Sequence, residues 1–180
     1  MQRRTFLLGL ALAPLCAQAQ RKTMKDIEAL QKNWKTFLPA GAAVPSPAEP
    51  VKLSDQEWSK RLPPQSFRVM RKEGTEPAGT SPLNDEKRAG IFACAGCDLP
   101  LFTSAMKFDS GTGWPSFFTT IPGVFEQKKD SYLFTPRIEY HCKRCGGHHG
   151  HVFDDGPPPT NQRWCNNGVS LKFIPKDSKA

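Results

Sequence analysis

The chain lacks any apolar run of the roughly 20 residues needed to cross a bilayer, since its longest, Phe6 to Leu15, falls well short. It also lacks an internal repeat, which excludes solenoids and propellers, and a glycine-rich loop able to cradle phosphates. Gly111-x-Gly113 is too short and has no following helix, so a dinucleotide fingerprint is excluded with it. The formal net charge is +8, yet Lys and Arg are scattered and no basic run is interleaved with aromatics. Solvated surface, rather than a nucleic-acid groove, accounts for such a distribution.

What is present points to one small domain. Its 180 residues are 38% hydrophobic, with 12 Phe and 4 Trp to fill a core, while 17 Pro and 14 Gly favour turns and short elements over long helices. A mainly β fold with short N-terminal helices is therefore expected. The first 19 residues are set apart as an address. Arg3-Arg4-Thr5-Phe6-Leu7, an apolar stretch to Leu15 and Ala17-Gln18-Ala19 together make a secretory signal, and the arginine pair resembles the twin-arginine type. Export, to a periplasm, is expected, with no stable membrane insertion once the signal is cleaved. An uncleaved anchor and a lipid on Cys16 are the alternatives. Cleavage after residue 19 removes Cys16 and two arginines, which leaves five cysteines and a charge of +6.

Residues 20–50 divide into an amphipathic helix and a linker. Met24, Ile27, Leu30, Trp34 and Phe37 recur at helical spacing behind a partial capping box at Thr23 and Asp26, and their stripe is expected to pack on the body. Four prolines between Leu38 and Pro50 then forbid both helix and strand. A domain over 51–177 follows. Ser54 to Glu57 is a full capping box for a helix from about Asp55 to Arg61, and a second helix runs from Pro63 to Gly74. From Gly90 the texture changes to strands: Ile91–Ala95, Leu101–Phe102, Val124–Phe125, Tyr132–Tyr140, His151–Phe153 and Val169–Ile174.

The chemistry gathers in residues 142–165, which hold three of the six cysteines and three of the four histidines. Cys142 and Cys145 make a C-x-x-C knuckle, matched by Cys94 and Cys97 at a distance of 44 intervening residues. Two such pairs form the usual cage of a structural zinc, here clipping two distant hairpin turns together. In an oxidising compartment two disulfides are the alternative. Four cysteines close a tetrahedron without His148 and His151, which leaves both free for acid–base work. Cys165 is then the one thiol without a metal role, and its neighbourhood of histidines suits a nucleophile.

Gly113-Trp-Pro-Ser-Phe117, the paired knuckles, His148-x-x-His151-Val-Phe, Asp155-Gly-Pro and Arg163-Trp-Cys-x-Asn167 followed by Ser170-Leu-Lys-Phe173 resemble the type B methionine sulfoxide reductases, specific for the R epimer. The resemblance runs in one collinear order from about residue 52 to 176. It implies two antiparallel sheets clipped by zinc, and a thiolate of Cys165 that attacks the sulfoxide sulfur. His148 and His151 are implied to orient and protonate the oxygen, with Asn167 and Arg163 holding it or raising the thiolate fraction. Trp114, with Phe117 from the same segment, falls at the family's substrate site. Oxidised proteins or peptides are the implied substrates, and a small thiol or thioredoxin-like protein the implied reductant. The resolving cysteine that many members carry just before Gly-Trp-Pro-Ser-Phe is here Thr112. A zinc-clipped β module that binds a protein partner and does no chemistry is the competing expectation.

Overall fold

The computed structural model describes residues 22–130 and 137–178, so the signal expected over residues 1–19 lies outside the described residues. The capping box at Thr23 and Asp26 is complete, and it starts α1 at Met24–Lys32, followed by a 3-10 turn at Trp34–Phe37. Ile27 is buried and Leu30 and Trp34 pack on the main core, while Gln31 donates to Thr119 at 2.8 Å. The helix thus lies on the body by its apolar stripe. Residues 38–50 carry neither helix nor strand.

Ser54 and Glu57 cap α2, Asp55–Arg61, and Pro64 opens α3, Pro64–Lys72, where its missing N–H costs nothing. Trp58, Val69 and Met70 are buried beneath these helices. The Arg71 guanidinium lies over the Trp58 ring and donates to the Cys145 carbonyl at 2.9 Å. In this way the helical layer is tied to the second knuckle.

Among the described residues all strand pairings are antiparallel. β1 (Gly90–Cys94) is flanked by β2 (Pro100–Thr103) and β9 (Leu171–Pro175) in a three-stranded sheet. The second sheet has six strands. Its order is β3 (Lys107–Phe108), β4 (Ser116–Phe117), β8 (Arg163–Asn166), β7 (His148–Phe153), β6 (Arg137–Cys142) and β5 (Phe125–Asp130). Between the sheets Phe102 stacks on Phe117 with centroids 3.9 Å apart and Phe92 meets Phe117 edge-on at 5.1 Å, while within the second sheet Tyr140 meets Trp164 at 4.9 Å. Such aromatic pairs add about 0.5–1.5 kcal/mol each beyond the area they bury.

Two departures from expectation bear on the site. Val169 lies in a 3-10 turn, Gly168–Ser170, so the last strand begins at Leu171. β3, β4 and β8 were not foreseen. The first two are only two residues long, and in β8 the polar Arg163 and Asn166 are buried with Trp164, which hides any alternation.

One irregularity in β7 matters most. Ile138, Glu139 and Tyr140 pair with Val152, His151 and Gly150, but His141 pairs with His148, so His149 is an extra residue. In a regular strand residues three apart point to opposite faces. The bulge brings His148 and His151 to the same side, with ring centroids 5.6 Å apart, and turns His149 into the core.

Candidate active site and metal centre

The four knuckle cysteines meet where the two sheets meet. Cys94 ends β1 and Cys142 ends β6; Cys97 and Cys145 follow in the turns, closed by the amides of Asp98 and Gly146 on the carbonyls of Cys94 and Cys142 at 3.0 and 2.7 Å. Gly146 has φ 67°, a conformation that a side chain resists. All four residues are buried and their sulfurs lie within 4.8 Å of one another. The Cys94–Cys145 and Cys97–Cys142 pairs stand at 3.6 and 3.5 Å. A disulfide needs about 2.05 Å. A tetrahedral zinc with bonds of about 2.3 Å needs sulfurs about 3.8 Å apart, so the donor set fits zinc and not two disulfides. Burial pushes the Cys94 thiol well up. Four buried thiols in contact can shed their protons only around a cation, which is what a structural metal provides.

Cys165 lies on β8 in a cross-strand row with Glu139 on β6, His151 on β7 and Ser116 on β4. Adjacent members of such a row present their side chains on one face at about 5 Å. The thiol opens into a small cleft of about 120 Å³ shared with Trp114, His151, Phe153, Asn167 and Arg137. Gly150 is the close approach that makes the row possible, because a Cβ there would stand 2.0 Å from the Cys165 carbonyl oxygen. Trp114 is fixed as a wall by its indole N–H, which donates to the Glu76 carbonyl at 2.9 Å.

Burial raises the Cys165 thiol above its ordinary value, and the Arg163 charge and the Thr112 hydroxyl oppose it without prevailing. Arg163 is itself clamped on Asp155 by two hydrogen bonds of 2.7 and 2.8 Å. His151 Nε2 stands 3.0 Å from Asp130 Oδ2, which also takes Arg137 Nη2 at 2.7 Å. Burial lowers the His151 pKa against the pull of Asp130. A neutral imidazole therefore faces a protonated thiol across one strand pair.

Three expected roles shift. Phe117 is fully buried and stacked in the core, so it does not line the cleft. His148 is 2% exposed and held 2.5 Å from Glu139 Oε1, with its pKa lowered to about 4 by burial. It stands behind His151 rather than in the cleft. Asn167 lines the cleft, but its Oδ1 accepts from the Glu76 N–H at 2.8 Å and its Nδ2 donates to the His149 carbonyl at 2.9 Å. Its amide pins the cleft floor.

Sequence reading missed Asp130, Arg137, Glu139, Phe153 and Glu76. Glu139 carried a signal, as a lone carboxylate within an apolar stretch. Asp130 and Arg137 carried none, being charged residues at strand ends. Glu76 is 3% exposed and its carboxylate accepts from the Gly168 and Val169 amides at 2.6 and 3.3 Å, holding the turn after β8.

A fifth cysteine outside the cluster, paired across the strands with a carboxylate-held imidazole, is an arrangement suited to thiol chemistry. The SelR domain model matches residues 62–175. Peptide methionine sulfoxide reductase MsrB of Agrobacterium fabrum is 46% identical over 126 residues, 69% of this chain and 93% of that protein. The MsrB of Leifsonia xyli is 48% identical over 129 residues, 71% and 93% of the two chains. Chloroplastic peptide methionine sulfoxide reductase B1 of Arabidopsis thaliana is 48% identical over 122 residues, 67% of this chain and 60% of that one. The chain belongs to the MsrB family of SelR-domain proteins.

Proposed function

We propose that the protein reduces methionine-R-sulfoxide in proteins and peptides to methionine, with Cys165 as nucleophile and an external thiol as reductant. The observation that carries this reading is the cross-strand placement of Cys165 opposite His151 in a cleft walled by Trp114. The cleft has room for the end of one side chain. Trp114 and Phe153 supply an apolar surface for the methyl group and sulfur–aromatic contact.

Sulfoxide oxygen leaves only when protonated. The neutral His151 takes the proton of the Cys165 thiol and passes it to that oxygen, while Asp130 holds the imidazole in place. The thiolate attacks the sulfoxide sulfur and forms an S–S bond; the protonated oxygen passes to the cysteine sulfur as that bond breaks, so methionine is released and Cys165 becomes a sulfenic acid. The sulfoxide sulfur is reduced by two electrons and the cysteine sulfur is oxidised by two. One external thiol then forms a mixed disulfide with loss of water, and a second thiol, or the reductant's own partner cysteine, restores Cys165. Zinc on Cys94, Cys97, Cys142 and Cys145 contributes folding energy and no chemistry.

The same reading makes residues 1–19 a twin-arginine leader, residues 51–177 the reductase domain, and the destination the periplasm. Intact mass of the mature chain tests this, since a protein that keeps Met1 in the cytoplasmic fraction removes the export step. The activity is tested with both epimers of a methionine sulfoxide peptide and dithiothreitol. Turnover of the R form alone, lost in Cys165→Ser, is expected. No turnover from a zinc-loaded, folded protein would leave the partner-binding β module as the better account.

A further inference from the structure

Three donor atoms converge beside the bulge of β7, and neither the thiol chemistry nor the four-cysteine cage uses them as a set. Glu139 Oε1 lies 3.0 Å from His141 Nε2 and 2.5 Å from His148 Nδ1. All three atoms fall within 4.8 Å of one another. The side chains of Glu139 and His148 are 5% and 2% exposed. These contacts crowd one carboxylate oxygen between two ring nitrogens, and none of the three atoms has a partner at good hydrogen-bond angles. Buried polar atoms are seldom left so. A cation among them satisfies all three at once.

The surroundings hold the donors in the form a cation needs. His141 Nδ1 stands 3.3 Å from the Gly146 carbonyl, which can only accept, so Nδ1 carries the proton and Nε2 turns a lone pair toward the cluster. Metal-binding imidazoles are commonly oriented by such an outer carbonyl. Lys128 takes the other carboxylate oxygen, Oε2, at 3.0 Å and is itself balanced by Glu73 at 2.6 Å. Oε1 is left for the cluster. Glu139 and His141 are two apart on β6 and share a face, and the extra residue His149 brings His148 round to join them.

The geometry points to a second metal site, made by Glu139, His141 and His148, for one borderline divalent cation such as Zn²⁺ or Co²⁺. Two imidazoles and one carboxylate suit such ions and not Ca²⁺ or Mg²⁺, which want oxygen. Bonds of about 2.0–2.1 Å in a tetrahedron place donors about 3.3 Å apart. The 3.0 Å pair is already near that spacing, and the 2.5 Å pair has only to open. A polar cleft lined by Thr75, Asp130 and Arg137 reaches His148 and admits water as a fourth ligand.

The test uses the full chain with its four-cysteine cage filled by zinc, titrated with Co²⁺. We expect one further equivalent to bind, giving paramagnetically shifted imidazole resonances and no thiolate-to-cobalt charge-transfer band. Glu139→Gln and His141→Ala should each weaken that equivalent at least tenfold while the caged zinc and the thermal midpoint stay in place. If Glu139→Gln does not fold, His141→Ala decides alone. Absence of a second equivalent overturns the proposal. So does a second equivalent that survives in His141→Ala, or one that shows a thiolate band and so sits on Cys165.

Discussion

At Cys165 two effects of opposite sign act on one thiol, and burial outweighs the Arg163 charge and the Thr112 hydroxyl. The free enzyme therefore holds a thiol whose pKa lies above its ordinary value of 9.0. Alkylation of Cys165 by iodoacetamide should keep rising beyond pH 9, and Arg163→Gln should move the midpoint higher still. A plateau near pH 7 would mean that the resting cysteine is already ionised. His149 shows the same physics without chemistry. It is fully buried, its ring meets Phe125 edge-on at 5.6 Å, and burial lowers its pKa to about 3. An unfolded histidine titrates near 6.5. Between pH 6.5 and 3 the unfolded chain binds the extra proton, so this residue leaves stability untouched above pH 6.5 and removes it as pH falls, by at most about 1.4 kcal/mol per unit. Denaturant titrations of His149→Leu across that range should show a shallower acid loss than the parent. Equal slopes would mean that His149 is reached by water.

The elements explain which parts of the site could be seen in advance. α2 begins and ends where its capping box and charge pattern put it, and the knuckles are legible because C-x-x-C spacing dictates a tight turn. The strand carrying Cys165 was invisible, because Arg163, Trp164 and Asn166 are all buried and no alternation survives. Nor could His148 and His151 be assigned from spacing. Three residues apart they belong on opposite faces, and only the extra residue His149 sets them side by side. Phe117 was drawn into the substrate site by its neighbour Trp114, although β4 turns its ring into the core. Gly150 is where this element is most exposed to mutation. A methyl group there meets the Cys165 carbonyl at 2.0 Å, so β7 and β8 must separate. Gly150→Ala should cost about 1–3 kcal/mol, the usual range for overpacking, and reduce kcat/KM more than tenfold with zinc still bound. Near-normal kinetics in that variant would show that the row from Glu139 to Cys165 does not need its present spacing.

Taken as a whole, the molecule keeps Cys165 out of its four-cysteine cluster, and on the proposed mechanism that separation decides how Cys165 is reduced again. The cysteines of the described residues are Cys94, Cys97, Cys142, Cys145 and Cys165. The first four meet in the cage that joins β1 to β6, and losing a ligand there should release the metal and with it the cooperative unfolding of both sheets. Cys165 pairs with His151, three residues along β7 from His148, and Cys145 lies three residues further back through the turn. The extra residue lets His148 and His151 span only two residues of β6, about 7 Å, and Cys165 stands one strand further over, outside the four-sulfur cluster. The neighbour that does touch the thiol is Thr112, whose hydroxyl cannot resolve a sulfenic acid. One equivalent of substrate without reductant should therefore leave Cys165 as a sulfenic acid trapped by dimedone, with zinc bound and no new disulfide in the peptide map. Thr112→Cys should supply the missing thiol, abolish dimedone labelling and give a 112–165 disulfide in its place. A parent protein in which Cys165 is linked to a knuckle cysteine after one turnover would overturn the single-cysteine cycle, because the cage would then have to open and lose metal with each turnover.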